Sequence, residues 1–214
     1  IVDFVLSNFV NSGYRNIYVL TQYMSSSLIS HLSRNWHLLG IGENIEVVPA
    51  QMRMGEHWYQ GTADSIYQNL NLIRDSKADN VAVFGGDHIY KFNIREMEDY
   101  HNETGADLTV AAFPVPIGEA NQFGVIQIDG EQRIMGFQEK PSDPAPMPSD
   151  PTKALVSMGN YFFKGKVLEE ALIQDSMDMD SKHDFGHNII PKLVRDGADV
   201  RIYDFSTNRI PGDP

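Results

Sequence analysis

Apolar positions along the chain follow two periods, one typical of helices and one typical of buried strands. In residues 1–12 the apolar side chains recur at helical spacing, and the following Gly13 is a common helix terminator, so an amphipathic helix is predicted there. A short apolar run over Asn16–Leu20 predicts a strand, and Ser25–Arg34 predicts a second helix. The chain therefore opens with alternating α and β elements.

The alternation continues to the end of the chain. Further strands are predicted over Ile45–Ala50, Val81–Phe84, Leu108–Val115, Gly124–Ile128, Arg133–Glu139, Ser157–Phe163 and Val200–Phe205. Further helices are predicted from Thr62 through Ile73, over 93–104, over Val167–Ile173 and over Phe185–Asp196. Asp129-Gly130 predicts a hairpin turn. This order predicts an α/β fold of Rossmann type, with a central mixed, mostly parallel sheet flanked by helices.

The run Val81–Phe84 is continuously apolar and short. Such a run is typical of a strand buried on both faces near the centre of a parallel sheet, and that position is the prediction for this segment.

Composition narrows the class of protein. The 214 residues include 42% hydrophobic ones, which is enough for a substantial core, and no internal repeat or domain boundary is visible. The formal net charge of -12 repels polyanions, so nucleic acid is not expected as a partner. No apolar stretch approaches the roughly 20 residues that span a bilayer, so no membrane partner is expected. The absence of cysteine is compatible with a reducing compartment, and a cytoplasmic location is the expectation.

Two short acidic motifs carry the candidate chemistry. In V-A-V-F-G-G-D-H-I-Y, Asp87 follows an apolar strand, where the strand ends of an α/β sheet meet ligands, and its carboxylate suits a divalent metal. In F-Q-E-K-P, Glu139 offers an acceptor for hydroxyls and Lys140 a fixed positive charge for a phosphate. A sugar phosphate requires both, so the two motifs together predict a nucleotide-sugar site.

Two other functional patterns are incomplete. His183 and His187 have the spacing of zinc ligands on a helix, but the H-E-x-x-H glutamate is missing and no third ligand is evident. A Rossmann dehydrogenase is disfavoured because no G-x-G-x-x-G follows any visible strand.

The chain resembles the catalytic domain of bacterial ADP-glucose pyrophosphorylases, the glucose-1-phosphate adenylyltransferases. The matching segments, in order, are S-N-F-V-N-S-G at Ser7, T-Q-Y at Thr21, V-P-A-Q at Val48, W-Y-Q-G-T-A-D at Trp58, G-D-H-I-Y at Gly86, V-P-I at Val115, F-G-V at Phe123, F-Q-E-K-P at Phe137, S-M-G-N-Y at Ser157 and H-D-F-G at His183. The resemblance implies a nucleotidyltransferase fold and transfer of AMP from ATP to glucose 1-phosphate, which gives ADP-glucose for glycogen synthesis and pyrophosphate.

The resemblance also implies roles for residues on the sugar side of the site. Asp87 would hold the catalytic Mg²⁺, Lys140 would bind the phosphate of glucose 1-phosphate, and Glu139 would accept hydrogen bonds from the glucose hydroxyls. Three further residues would line the sugar pocket: Gly124, Ser157 and Asp184.

On the nucleotide side, the resemblance implies that Gln51 and the turn at Gly61 and Thr62 recognise adenine. Tyr59 resembles a residue that couples the substrates to the activator. Many members of the family have a second glutamine after V-P-A-Q, whereas this chain has Met52, so no purine contact is expected from that position.

By the same resemblance, residues 1–214 are expected to form a partial catalytic domain. A glycine-rich loop would precede Ile1, and a left-handed β-helix domain would follow Pro214. The fragment alone is therefore expected to be inactive, and the full-length enzyme to be a homotetramer regulated by sugar-phosphate effectors.

Two alternative functions remain open. One is a related enzyme that uses UTP or dTTP with a hexose phosphate, although W-Y-Q-G-T-A-D and H-D-F-G favour the adenylyl enzyme. The other is a catalytically silent regulatory subunit, although silent paralogues commonly lose residues such as Asp87 and Lys140, which are both present.

Overall fold

Helices and strands alternate along most of the chain, as the hydrophobic pattern predicts. The structure is a computed structural model that describes residues 1–36, 44–51 and 58–212. The helices are α1 (Val2–Asn11), α2 (Ser26–Asn35), α3 (Thr62–Tyr67), α4 (Leu70–Ser76), α5 (Ile94–Thr104), α6 (Gly165–Ser176) and α7 (Ile190–Arg195). The strands are β1 (Asn16–Thr21), β2 (Asn44–Pro49), β3 (Asn80–Phe84), β4 (Leu108–Pro116), β5 (Gly124–Ile128), β6 (Ile134–Glu139), β7 (Lys153–Lys164) and β8 (Val200–Asp204).

The strands form a two-stranded and a six-stranded sheet. β1 and β2 pair in parallel, and the larger sheet has the order β6-β5-β7-β4-β8, with β3 also paired to β7. The α/β class and the mixed sheet are confirmed. The expectation of a mostly parallel sheet is wrong, because four of the six pairings between described strands are antiparallel.

The strand predicted over Val81–Phe84 exists, but its predicted environment is wrong. Among the described residues β3 pairs with β7 alone, in antiparallel direction, and all five of its residues are half-buried. A continuous apolar run reports that a segment is sheltered from water, and it carries no information on the direction of the neighbouring strand. The long strand β7 lies at the centre instead, with β4 on one side and both β3 and β5 on the other.

Two predicted helices differ in detail from the structure. The helix expected from Thr62 through Ile73 is divided between α3 and α4, where the side chains of Gln68 and Asn69 bond back to Asp64 and to the Ser65 carbonyl. Side chains that bond to nearby groups in this way compete with helix continuation. The helix expected over Phe185–Asp196 begins as a π-helical turn over Phe185–Ile189 and becomes α-helical at Ile190.

Both faces of the six-stranded sheet are covered by apolar side chains. Phe162 and Phe163 are adjacent on β7 and point to opposite faces, where each is at most 1% exposed and belongs to a different cluster. One cluster packs β7 against α6 and α7, and the other packs it against α5. Burial of one such phenylalanine contributes about 1.5–3 kcal/mol. Packing on both faces therefore holds the central strand β7 in place.

No described helix is long and apolar enough to cross a membrane.

Candidate functional site

A cleft opens where the central strand changes neighbours. Val156 of β7 pairs with β5, whereas Asn160 pairs with the last residue of β3. The intervening residues of β7 face a gap between the end of β3 and the start of β5. The carboxyl end of β3 borders this gap, and ligands of open α/β sheets bind in crevices outside the carboxyl ends of strands. The cleft has a volume of about 530 Å³.

Five of the residues singled out in the sequence line this cleft: Asp87, Gly124, Glu139, Lys140 and Ser157. They come from segments that lie far apart along the chain. The turn after β3 supplies the first, the ends of the β5–β6 hairpin supply the next three, and the stretch of β7 between its pairings with β5 and β3 supplies the last. The structure therefore brings the two acidic motifs into one cleft.

Glu139 and Lys140 present opposite charges in different environments. The Glu139 side chain is 17% exposed and that of Lys140 is 64% exposed, with 3.8 Å between Glu139 Oε1 and Lys140 Nζ. Lys140 has a positive φ of 47°, and its backbone N–H donates to the Phe123 carbonyl at 3.0 Å. This conformation is unusual for a residue with a β-carbon. The hairpin thus ends in a sheltered acceptor beside a cation that reaches solvent.

Asp87 lies in the turn after β3, and its side chain is 86% exposed. His88 Nε2 lies 3.6 Å from Asp87 Oδ1. Within the described residues there is no group of three or more His, Cys, Asp or Glu that could hold a metal. Mg²⁺ is bound in many phosphoryl-transfer sites by one or two carboxylates, with water and substrate phosphates completing the shell. An accessible carboxylate in a cleft with a lysine fits that kind of site.

Aromatic side chains form much of the remaining wall, and the sequence analysis did not single them out. Tyr90, Phe113, Phe123, Tyr161 and Phe205 all line the cleft. Burial raises the pKa of Tyr90 to about 12, so its hydroxyl stays protonated and donates to Asn160 Oδ1 at 3.1 Å. The sequence contained one indication for Tyr161. It is four residues from Ser157 in the same strand, so the two side chains share a face.

A second group of candidate residues lies around Asp184. Thr62 Oγ1 donates to Asp184 Oδ2 at 2.8 Å, and the Phe185 N–H donates to Thr62 Oγ1 at 3.2 Å. Burial by itself would raise the pKa of Asp184, but hydrogen bonds from the His187 N–H and from Thr62 hold it below its ordinary value. The carboxylate predicted to line the sugar pocket and the turn predicted to recognise adenine are therefore in direct contact.

This second group adjoins the cleft through Gly186. A β-carbon on Gly186 would overlap Glu139 Oε2, which places the segment that follows Asp184 directly against the cleft wall. Gly61 and Thr62 are thus connected to Glu139 by a continuous set of contacts.

Gln51 and Tyr59 are the two candidates that neither line the cleft nor belong to the group around Asp184. Gln51 is exposed and its side-chain amide donates to the Pro49 carbonyl at 3.0 Å. The Tyr59 N–H donates to Gln22 Oε1 at 2.7 Å, and its hydroxyl accepts from Asn69. Met52 lies outside the described residues.

Comparison with known proteins places the chain in a family. The family model described as nucleotidyl transferase matches residues 1–208. The chain belongs to the nucleotidyl transferase family. The cleft at the switch between β5 and β3 is therefore the candidate nucleotidyl transferase site.

Curated relatives of this nucleotidyl transferase are similar over nearly its whole length. It is 54% identical over 218 residues to the glucose-1-phosphate adenylyltransferase of Thermus thermophilus, an alignment that covers 99% of this chain and 53% of the relative. It is 51% identical over 214 residues to glucose-1-phosphate adenylyltransferase 1 of Vibrio parahaemolyticus, covering 100% of this chain and 53% of the relative. The chain thus spans about half the length of the relatives it matches. These relatives confirm the predicted resemblance.

Proposed function

We propose that the protein carrying this chain transfers AMP from ATP to glucose 1-phosphate, forming ADP-glucose and releasing pyrophosphate. The observation that carries the proposal is the single cleft that combines the exposed Asp87 carboxylate, the Lys140 ammonium and the sheltered Glu139 carboxylate. The chain is 54% and 51% identical to two proteins named glucose-1-phosphate adenylyltransferase. This similarity supports the choice of ATP and glucose 1-phosphate as substrates.

The reaction requires two polyanions to meet. A phosphate oxygen of glucose 1-phosphate forms a bond to the α-phosphorus of ATP, and the bond from that phosphorus to the bridging oxygen of pyrophosphate breaks, leaving the electron pair on pyrophosphate. Charge repulsion is the main obstacle, so positioning and electrostatic stabilisation carry the catalysis and no protein nucleophile is needed.

The residues of the cleft suit this task. The proposal assigns to Lys140, a compact charge on a flexible and exposed side chain, the neutralisation of the phosphate of glucose 1-phosphate. To Glu139, the last residue of β6, the proposal assigns the acceptance of hydrogen bonds from glucose hydroxyls. Asp87 is the residue that would hold Mg²⁺, which when bound would reduce the charge on the substrate phosphates.

On the nucleotide side, the proposal assigns adenine recognition to Gln51 and to the Gly61–Thr62 turn. The contact between Thr62 and Asp184 supports a site in which this turn adjoins the sugar pocket. We further predict regulation by sugar phosphates through Tyr59, assembly as a homotetramer, a role in glycogen synthesis and a cytoplasmic location.

The proposal is tested by pyrophosphate release from the full-length gene product with Mg²⁺ and glucose 1-phosphate, with ATP, UTP, dTTP, CTP and GTP supplied in separate reactions. A strong preference for ATP is expected. Preference for UTP or dTTP would assign the protein to the related enzymes and remove the adenine roles of Gln51 and Gly61. No turnover with any nucleotide would favour the silent regulatory subunit.

A further inference from the structure

Asp175, Ser181 and His183 form a closed set of hydrogen bonds next to the candidate site. Asp175 lies near the end of α6 and is only 6% exposed. Its Oδ1 accepts from Ser181 Oγ at 2.6 Å, and its Oδ2 lies 2.8 Å from His183 Nδ1. The His183 N–H donates to Ser181 Oγ at 2.9 Å. Both oxygens of a buried carboxylate are therefore used to hold the backbone and side chain of one histidine.

The backbone of His183 adopts a conformation that is uncommon for a residue with a β-carbon. Its φ is 52°, in the left-handed region, which asparagine, aspartate and histidine enter more often than other such residues. Such a conformation persists only where surrounding contacts enforce it. Here the side chain of His183 bonds to Asp175, its N–H donates to Ser181 Oγ, and its carbonyl accepts from the start of α3.

The carbonyl of His183 holds the turn predicted to recognise adenine. It accepts from the N–H groups of Ala63 at 2.8 Å and Asp64 at 3.3 Å, at the start of α3. No side chain caps this helix, so the carbonyl satisfies two of the donors that a helix start leaves without partners. A β-carbon on Gly61 would overlap the carbonyls of Lys182 and His183, so the turn lies directly against this segment.

The residues that follow His183 hold the sugar side. Asp184 accepts from Thr62, and Gly186 lies against Glu139 Oε2. His183 is therefore the point from which one backbone segment contacts both the nucleotide turn and the sugar-binding carboxylates.

We infer that Asp175 and His183 are positioning residues for nucleotidyl transfer, a role that rests on the proposed function of the cleft. Neither lines the cleft. Their contact holds His183 in the left-handed conformation, and that conformation fixes the Gly61–Thr62 turn relative to Asp184 and Glu139. Loss of the contact displaces both halves of the site together, because one segment supports both.

The test compares His183→Ala with His183→Asn in the full-length gene product. Alanine removes the bond to Asp175 and disfavours the positive φ. Asparagine tolerates the positive φ, and its Nδ2 stands at the same position along the side chain as the histidine Nδ1, so it can still donate to Asp175. For His183→Ala, KM for the nucleotide and KM for the sugar phosphate should each rise about tenfold, since small misplacements of reacting groups are costly. His183→Asn should restore both toward the wild-type values.

The matched control is Gln132→Ala. Gln132 also has a positive φ, of 64°, and its side chain accepts a hydrogen bond from Tyr100, but it lies at the opposite end of the β5–β6 hairpin from the cleft. This variant should leave both KM values unchanged.

A purely structural role for His183 would give a different result in His183→Ala. The thermal midpoint and the active fraction would fall while the KM values of the folded molecules stayed unchanged, and that result would overturn the inference.

A second measurement does not depend on turnover. Amide hydrogen exchange of Ala63 and Asp64 should become faster in His183→Ala and return toward the wild-type rate in His183→Asn. Unchanged exchange in His183→Ala would also overturn the inference. Failure of the proposed function is a separate result, because it would be seen as absent turnover, or a different nucleotide preference, in the wild-type protein.

Discussion

Gly124 and Glu139 are partners across the β5–β6 hairpin, and a β-carbon on Gly124 would lie 3.0 Å from Glu139 Oε2 and 2.5 Å from Phe137 Cζ. Because residue 124 has no side chain, the side chains of Glu139 and Phe137 can occupy the adjacent space. This relationship gives the glycine of the F-G-V segment a physical role in shaping the sugar side of the cleft.

The first prediction concerns Gly124→Ala. The added methyl group should displace the Glu139 carboxylate, raising KM for glucose 1-phosphate about tenfold and lowering the free energy of unfolding by about 1–3 kcal/mol. Gly130→Ala is the control in the same hairpin, because a β-carbon there meets no atom within 4 Å. Steady-state kinetics and urea unfolding check both effects. A Gly124→Ala variant with wild-type KM would show that the space left by this glycine does not position Glu139 for the sugar.

The second prediction concerns Asp87→Asn, which removes one charge without changing the size of the side chain. We expect kcat to fall by about 10²–10³-fold. Because the Asp87 side chain is 86% exposed, the free energy of unfolding should change by less than about 0.5 kcal/mol. Asp75→Asn, at an exposed position of α4, is the control. Near-normal kcat in Asp87→Asn would remove this carboxylate from the mechanism.

The third prediction concerns Lys140→Ala. Loss of a charge-assisted contact with phosphate should raise KM for glucose 1-phosphate about 10- to 100-fold and leave KM for ATP nearly unchanged. Lys77→Ala is a matched control, since Lys77 ends α4 with a positive φ of 51°, close to the 47° of Lys140, and does not line the cleft. Equal increases for both substrates would mean that Lys140 supports the structure of the site and does not bind the sugar phosphate selectively.

The fourth prediction concerns pH and the buried His101. Burial, with a smaller effect from the Lys164 ammonium, lowers the pKa of His101 from 6.5 to about 4. Between these values the unfolded state binds the proton more tightly than the folded state, so stability is fully present above about pH 6.5 and falls as pH decreases toward 4. Across this pH range, the free energy of unfolding measured with urea should decrease by about 1–3 kcal/mol because of this group.

His101→Asn separates this group from the carboxylates that also titrate at low pH. The variant should be less stable at pH 7, because the smaller asparagine leaves a cavity where the buried imidazole packs against Phe162, but its stability should fall less steeply between pH 6.5 and 4. An identical pH dependence in both proteins would contradict the lowered pKa.

The sequence predicts local elements well where one face or both faces of a segment are buried. Gly124–Ile128 was predicted with the bounds that the structure has, because an apolar strand followed by Asp-Gly determines both a strand and its turn. β7 was predicted from Ser157, whereas it begins at Lys153. Its first residues adjoin a proline-rich loop, and they extend the strand because β4 pairs with them over that length.

Residues of the site could be predicted from the sequence only where a short motif itself contains the charged groups. Asp87, Glu139 and Lys140 were identifiable because a carboxylate or a charge pair follows a strand directly. The cleft itself arises because β7 changes partner between Val156 and Asn160, which is a property of the sheet and has no signal in any one segment. For the same reason the contact between Asp175 and His183 became visible only with the structure.

The central claim is that the cleft between β3 and β5 binds the sugar phosphate, and a crystal structure of the full-length gene product with glucose 1-phosphate tests it most directly. We predict that the phosphate lies on Lys140 Nζ and that glucose hydroxyls donate to the Glu139 carboxylate. Glucose 1-phosphate bound elsewhere, with Lys140 and Glu139 making no contact to it, would contradict the account.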